Sequence, residues 1–265
     1  MSQVDDFGLP PGVRNEYLQG VRDQLGGIAE LAERLVDAGD DLPALEELRR
    51  EAHRIRGSAG SFGFAQATLV AAEMEEAAKQ WVAHPAEGAA GRGAAARGFV
   101  RRLAAALFTK QAQAPPAQTP LSVASTPASE PPAAPADGAV LPPEVIVVED
   151  DAALADLITF GLEARGYRYL HFRNGREALD VLRDLETGGT TPLLLLDVDL
   201  PALDGYSIFE ALQQEAPGKF RVVFTTVHGS EAEQLRGLEA GAIDYMVKPM
   251  SLRVALEKIR RWVGH

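Results

Sequence analysis

The sequence predicts a multidomain chain: an N-terminal all-α four-helix bundle, then a C-terminal α/β unit with a doubly wound, five-stranded parallel sheet. Three observations carry this expectation. Apolar residues in the first 110 positions recur only at three- and four-residue spacing. The last 120 or so positions alternate short apolar runs with helical patterns. Between them, residues 111–141 are mostly Ala, Pro, Gln, Ser and Thr without hydrophobic period, the composition of a linker.

After a tail at 1–12, helices are predicted near 13–38, 43–62, 65–83 and 94–109. In the first, Leu18, Val21, Leu25, Ile28, Leu31, Leu35 and Val36 mark the apolar stripe. Asp41-Leu42-Pro43 reads as a cap with Pro just inside the next helix. Short connections between four such helices predict an antiparallel bundle over 13–110. From 142 to 265, strands are predicted near 144–148, 167–172, 192–196, 221–225 and 243–247. Helices follow near 151–165, 175–186, 205–215, 230–240 and 250–262. Right-handed βα units of this kind build one parallel sheet with helices on both faces.

Composition narrows the function classes. The chain has 265 residues and no cysteine, which excludes disulfides and thiolate metal sites. Its net charge is -12. Residues 1–110 hold 16 acidic and 13 basic side chains, and residues 111–265 hold 22 and 13. Neither part offers the basic footprint of a nucleic-acid binder. No apolar run approaches the length of a membrane span, and the acidic N-terminus is not a secretory signal. A cytoplasmic protein is expected, and the Ala/Arg/Gly/Pro richness hints at a bacterial source.

The segment from His53 to Gly63 is unusual for a helix, because Gly57, Gly60 and Gly63 each cost about 1 kcal/mol relative to Ala in a helix interior. At 100° per residue, Arg56, Gly57 and Gly60 share a face with His53, while Leu48, Ile55, Ala59 and Phe62 point the other way. His53 is therefore expected on an outward face, with side chains trimmed beside it so that a second protein can approach the imidazole. The segment resembles the motif of the histidine phosphotransfer domain: a His, a basic residue three positions on, and a small residue at the fourth. The resemblance implies that His53 is the phospho-accepting residue. It also implies that Arg56, where Lys is commoner, holds the phosphoryl group and that Gly57 and Gly60 form the phosphotransfer surface. His84, His171 and His265 are read as incidental.

In a parallel sheet, polar residues at the C-terminal ends of strands converge in one crevice. Glu149 and Asp150 end the first apolar run, Asp197 the third, Thr226 the fourth, and Lys248 the fifth. Three carboxylates, a hydroxyl and an ammonium make a metal site with an anion clamp, suited to phosphoryl transfer. Glu149, Asp150 and Asp197 can supply oxygens to Mg2+, with Asp197 also the nucleophile. Lys248 and Thr226 are placed to hold the phosphoryl oxygens. Either Asp150 or Asp151 can cap the following helix.

These residues, with Pro201, Asp204-Gly205 and Lys248-Pro249, resemble the response-regulator receiver domain, a flavodoxin-like fold. The resemblance implies strand order 2-1-3-4-5, the carbonyl of Asp199 as a further metal ligand, a cis Lys248-Pro249 bond, and Tyr245 as a switch aromatic working with Thr226. Val227 departs from the small residue usual in that family, and its bulk is expected to narrow access to the phosphoryl group. Asp199 and His228 occupy positions that tune how long the phosphoryl group survives. With no kinase ATP site and no output domain visible, the chain is expected to be a phosphorelay protein. Phosphoryl groups on His53 and Asp197 would then be exchanged with sensor histidine kinases, receivers and other phosphotransfer proteins. A linker coil of this length spans about 30 Å, enough for the two sites to meet within one chain. The alternative is a phosphorylation-switched adapter with His53 as a phosphate sink. A metal-dependent phosphatase is a third, remoter reading.

Overall fold

A computed structural model describes residues 9, 12–109, 141–227 and 231–264, with the backbone alone at 231–233 and 236. The expected linker thus lies outside the described residues save Leu141, as do His228, His265 and most of the N-terminal tail. The chain divides into two compact units, one helical and one α/β.

The helical unit contains α1 (Val13–Asp37), α2 (Leu42–Ser58), α3 (Ala65–Ala83) and α4 (Arg92–Phe108). In α1 the buried stripe is Tyr17, Val21, Leu25, Ile28, Leu31, Ala32 and Leu35. Tyr17 thus takes the place expected for Leu18, and Val36 is exposed. The Tyr17 ring explains its choice, since it stacks on Phe62 with centroids 4.1 Å apart and on Phe64 at 5.8 Å. Asp41 caps α2 by accepting a hydrogen bond from the Ala44 N–H at 3.1 Å, and Arg34 donates to its other oxygen at 2.7 Å. The guanidinium beside Asp41 holds its carboxyl below the usual carboxylate range.

The second helix does not run unbroken to Phe62. It ends at Ser58, and Ala59–Phe62 form one turn of 3-10 helix. Gly63 closes it at φ 85°, with its N–H on the Gly60 carbonyl. Gly63 therefore carries no interior penalty: it sits in the left-handed conformation that glycine alone adopts without strain, and it stops the helix. At the far end of the bundle Arg92 is buried, and its guanidinium donates to the carbonyls of Gly39, His84, Pro85 and Glu87. One cation thus satisfies four carbonyls of the loops that follow α1 and α3.

The α/β unit runs β1 (Val145–Val148), α5 (Ala152–Glu163), β2 (Tyr169–Phe172), α6 (Gly175–Asp184), β3 (Leu193–Asp197), α7 (Gly205–Glu215), β4 (Arg221–Thr226), α8 (Glu231–Glu239), β5 (Asp244–Val247) and α9 (Leu252–Val263). All strands are parallel, in the order β2-β1-β3-β4-β5. Strands β1 and β3 are buried along their whole length, as expected for the middle of a two-faced sheet. Ile146, Val148, Leu194, Leu196, Val222 and Phe224 alternate along their strands to face α6 and α7, packing with Leu179, Leu182, Ile208, Phe209 and Leu212. Helices α5 and α9 pack together, where Leu252 and Leu256 close on Gly161. No helix among the described residues is long and apolar enough to cross a membrane.

Two stability predictions follow from these contacts. Asp41→Ala removes the α2 cap and should cost about 1 kcal/mol, read as a lower urea midpoint for the helical unit. Gly205 opens α7 where an added Cβ would lie 2.2 Å from the Asp197 carbonyl oxygen. Gly205→Ala should therefore cost about 1–3 kcal/mol through overpacking, measured as a lower midpoint for the α/β unit.

Candidate functional site

The α/β candidate site is built by register. Val148 pairs with Leu196, Asp197 with Thr225, and Thr226 with Val247, so the strands finish level with one another. The residues at or just past those ends, Glu149, Asp150, Asp197, Thr226 and Lys248, are brought to one edge of the sheet by backbone pairing. Carboxylate oxygens of Glu149, Asp150 and Asp197 lie within 4.8 Å of one another. Glu149 and Asp197 are only 2% and 1% exposed. At an effective dielectric of about 20, two unit charges at that range repel by about 3 kcal/mol, a cost that a shared cation relieves. An all-oxygen, all-carboxylate donor set fits a hard divalent ion such as Mg2+.

The loops around this cluster hold it in place. Asp151, rather than Asp150, caps α5 by accepting from the Leu154 N–H at 3.0 Å, so the choice between them falls to Asp151. The Asp151 N–H in turn donates to Glu149 Oε1 at 3.3 Å. After β3 the chain turns sharply: the Asp199 N–H donates to Asp197 Oδ1 at 3.3 Å, and the Gly205 N–H to the Val198 carbonyl at 2.9 Å. Asp204 caps α7 through the Ser207 N–H and hydroxyl. Burial pushes the Asp204 carboxyl up, but the bonds from Ser207 and from the backbone N–H groups of Asp204 and Tyr206 together leave the group below its ordinary value. The Asp204-Gly205 pair is thereby explained as a cap followed by the one residue small enough for the backbone crossing. The Lys248-Pro249 peptide is cis, as the resemblance implies. Val227 is buried, directly after Thr226.

Tyr245 lies in the core beside Phe224, with ring centroids 5.2 Å apart. Its hydroxyl is 2.9 Å from that of Tyr206, in the first turn of α7. An added Cβ on Gly237 of α8 would come within 1.9 Å of the same hydroxyl. Sequence reasoning missed both Tyr206 and Gly237, because nothing in the local pattern of α7 or α8 says which residue of β5 they meet. The incidental reading of His171 needs one addition: the side chain reaches the edge of the site, with Nε2 3.3 Å from the Glu149 carbonyl.

In the helical unit, the outward reading of the His53 face needs correction. The face of α2 that carries His53 turns toward α3, where Nδ1 lies 3.1 Å from Oε1 of Glu75. Glu75 is fully buried, and Arg56 donates to its Oε2 at 2.9 Å. Lys79, one turn on in α3, reaches Oε1 at 3.0 Å. Arg56, expected to hold a phosphoryl group, thus contacts a carboxylate. Gly57 is buried on the same face, and Gly60 falls in the 3-10 turn. Glu75 was overlooked by sequence reasoning. Its signal is a charge within the buried stripe Ala71, Met74, Glu75, Ala78, with a Lys at i+4.

Comparison with known proteins assigns a family to each unit. Residues 12–109 match the Hpt domain family, and residues 145–260 match the response regulator receiver domain family. A probable transcriptional regulatory protein of Picosynechococcus is 34% identical over 119 residues, and the transcriptional regulatory protein CpxR of Escherichia coli K12 is 36% identical over 119 residues. Each match covers 44% of this chain and 47% of the relative, so the chain spans about half the length of the curated relatives it matches. Among solved structures, a CheY-like receiver domain protein from Methanospirillum hungatei is 28% identical with a TM-score of 0.41, covering 47% of this chain and 94% of that one. The receiver domain of the sensor histidine kinase PA1611 from Pseudomonas aeruginosa, solved with magnesium in its active-site cleft, is 26% identical with a TM-score of 0.40, covering 47% and 99%. The chain therefore joins two signalling modules in one polypeptide, an Hpt domain followed by a response regulator receiver domain.

Proposed function

We propose that this chain is a phosphorelay protein of two-component signalling, carrying phosphoryl groups on His53 and Asp197. The observation that supports this best is the pairing, in one chain, of an Hpt match around His53 with a three-carboxylate cluster around Asp197. Its partners on this reading are sensor histidine kinases, receivers and other phosphotransfer proteins, with no role for nucleic acid or membrane insertion. Its place of work is the cytoplasm, in a bacterial cell. The bundle over 13–110 and the sheet unit over 142–265 act as separate acceptors joined by the linker at 111–141. The adapter alternative makes His53 a dispensable sink. It is not favoured, because the helical unit matches the phosphotransfer family over nearly its whole length.

At the receiver, a carboxylate oxygen of Asp197 attacks phosphorus while the bond from phosphorus to the donor's imidazole nitrogen breaks, its electron pair returning to the ring. Glu149, Asp150, Asp197 and the Asp199 carbonyl are the groups that hold Mg2+, which when bound neutralises charge on the phosphoryl oxygens. Lys248 and the Thr226 hydroxyl take the remaining oxygens. Tyr245 then reports the event, because Thr226 moving toward the phosphoryl group changes the space beside the ring. At the helical unit, His53 is the acceptor.

Two outcomes test this reading. Mg2+ at about one hundred times its Kd should raise the stability of the α/β unit by about 2.7 kcal/mol, seen as a higher thermal midpoint in calorimetry, and Asp150→Asn should abolish the gain. Incubated with a radiolabelled phospho-receiver donor, the wild-type chain should gain acid-labile, base-stable label that His53→Gln removes. Asp197→Asn should remove the base-labile label. Label unaffected by either change refutes the relay.

A further inference from the structure

Of the three clustered carboxylates, Glu149 and Asp150 lie on the segment that leaves β1 after Val148. Like charges this close push that segment away from Asp197, so what holds its backbone matters to the site. Strand β2 holds it on both sides of Glu149. The Glu149 N–H donates to the Phe172 carbonyl at 3.0 Å, one rung beyond the pairing of Val148 with Phe172. The Glu149 carbonyl lies 3.3 Å from Nε2 of His171, a half-buried side chain of the same strand. A carbonyl can only accept, so Nε2 carries a hydrogen in this contact. The carbonyl belongs to the planar Glu149-Asp150 peptide. Fixing its oxygen fixes that plane, and with it the direction in which the Asp150 side chain leaves the backbone.

We propose that His171 is a positioning residue for the metal centre: its Nε2–H holds the Glu149-Asp150 peptide so that the Asp150 carboxylate stays beside Asp197 before a cation arrives. This rests on the reading of Glu149, Asp150 and Asp197 as the Mg2+ site. His171 acts through the backbone and not as a ligand. Its contribution is preorganisation, since the cost of ordering the segment is met on folding and not again on binding. Two substitutions separate this role from simple packing. Phe fills the space of the ring but has no donor. Gln packs less like the ring, yet its amide nitrogen reaches about as far from Cβ as imidazole Nε2 and donates in its place. A packing role therefore favours His171→Phe, and the proposed role favours His171→Gln.

The test titrates Mg2+ into the full chain by isothermal calorimetry, with Asp150→Asn identifying the heat that belongs to this site. His171→Phe should raise the Mg2+ Kd by about three- to tenfold, the loss expected for one hydrogen bond. His171→Gln should restore most of the wild-type value. Long-range proton–nitrogen correlation spectra of 15N-histidine-labelled wild type, with the His171 signals identified by their loss in His171→Gln, should show a hydrogen on Nε2. A folded His171→Phe protein with the wild-type Kd overturns the proposal, as does a His171→Gln protein that binds more weakly than His171→Phe. A wild-type ring with its only hydrogen on Nδ1 overturns it too, and does so even if His171→Phe fails to fold. A wild type that gives no Mg2+ heat refutes the reading of the carboxylates as a metal site, and the proposal falls with it. Wild-type binding that His171→Phe leaves unchanged refutes the proposal alone.

Discussion

Parallel pairing in register brings the ends of β1 and β3 side by side, and the α/β unit is organised around what that does to Glu149, Asp150 and Asp197. Their oxygens share a space under 5 Å wide, in surroundings that expose almost none of Glu149 or Asp197. Like charges so placed repel, and the backbone holds them there regardless. Leu193 to Leu196 and Val145 to Val148 are buried on both faces, so a slip of either strand would draw a charged group into the sheet or push an apolar side chain past its end. The apolar packing of the sheet thus holds three carboxylates together at its rim.

The same trade recurs in the bundle with different partners. Glu75 occupies a core position of α3, where an apolar side chain would pack more cheaply. The chain instead surrounds it with His53, Arg56 and Lys79. In the sheet unit, three acids are gathered at the ends of two strands. In the bundle, one acid is countered by two cations of the chain itself and also meets an imidazole. Both arrangements spend folding stability to set charge around a group proposed to accept phosphate, a pattern typical of sites under functional rather than structural constraint.

A third arrangement concerns communication rather than chemistry. The Tyr245 hydroxyl meets Tyr206 of α7 and lies close over Gly237 of α8. Tyr206 stands next to Gly205, where an added Cβ would lie 2.2 Å from the Asp197 carbonyl oxygen. These contacts join the first turn of α7 to β5 through a pair of hydroxyls. Close packing of this kind transmits small shifts because it leaves little slack.

Much of this was legible in the one-dimensional pattern. Apolar runs such as Leu193 to Leu196 announce buried strands, glycines and acids at their ends announce the crevice, and the stripe from Val21 to Leu35 announces a bundle helix. These signals are local, since period and turn chemistry depend on neighbours in sequence. Most of the misses were contacts between distant segments. Tyr17 displaced Leu18 because its ring found Phe62, and the α2 helix tightened early because Gly63 could close it. His53 proved to face α3 because the partner across that seam is Glu75, 22 residues away. By itself the sequence determined which elements form and which chemical groups their ends carry. Tertiary structure alone decided which of those groups touch, because side-chain partners across a seam or a sheet are chosen by packing in three dimensions and leave no period in the chain.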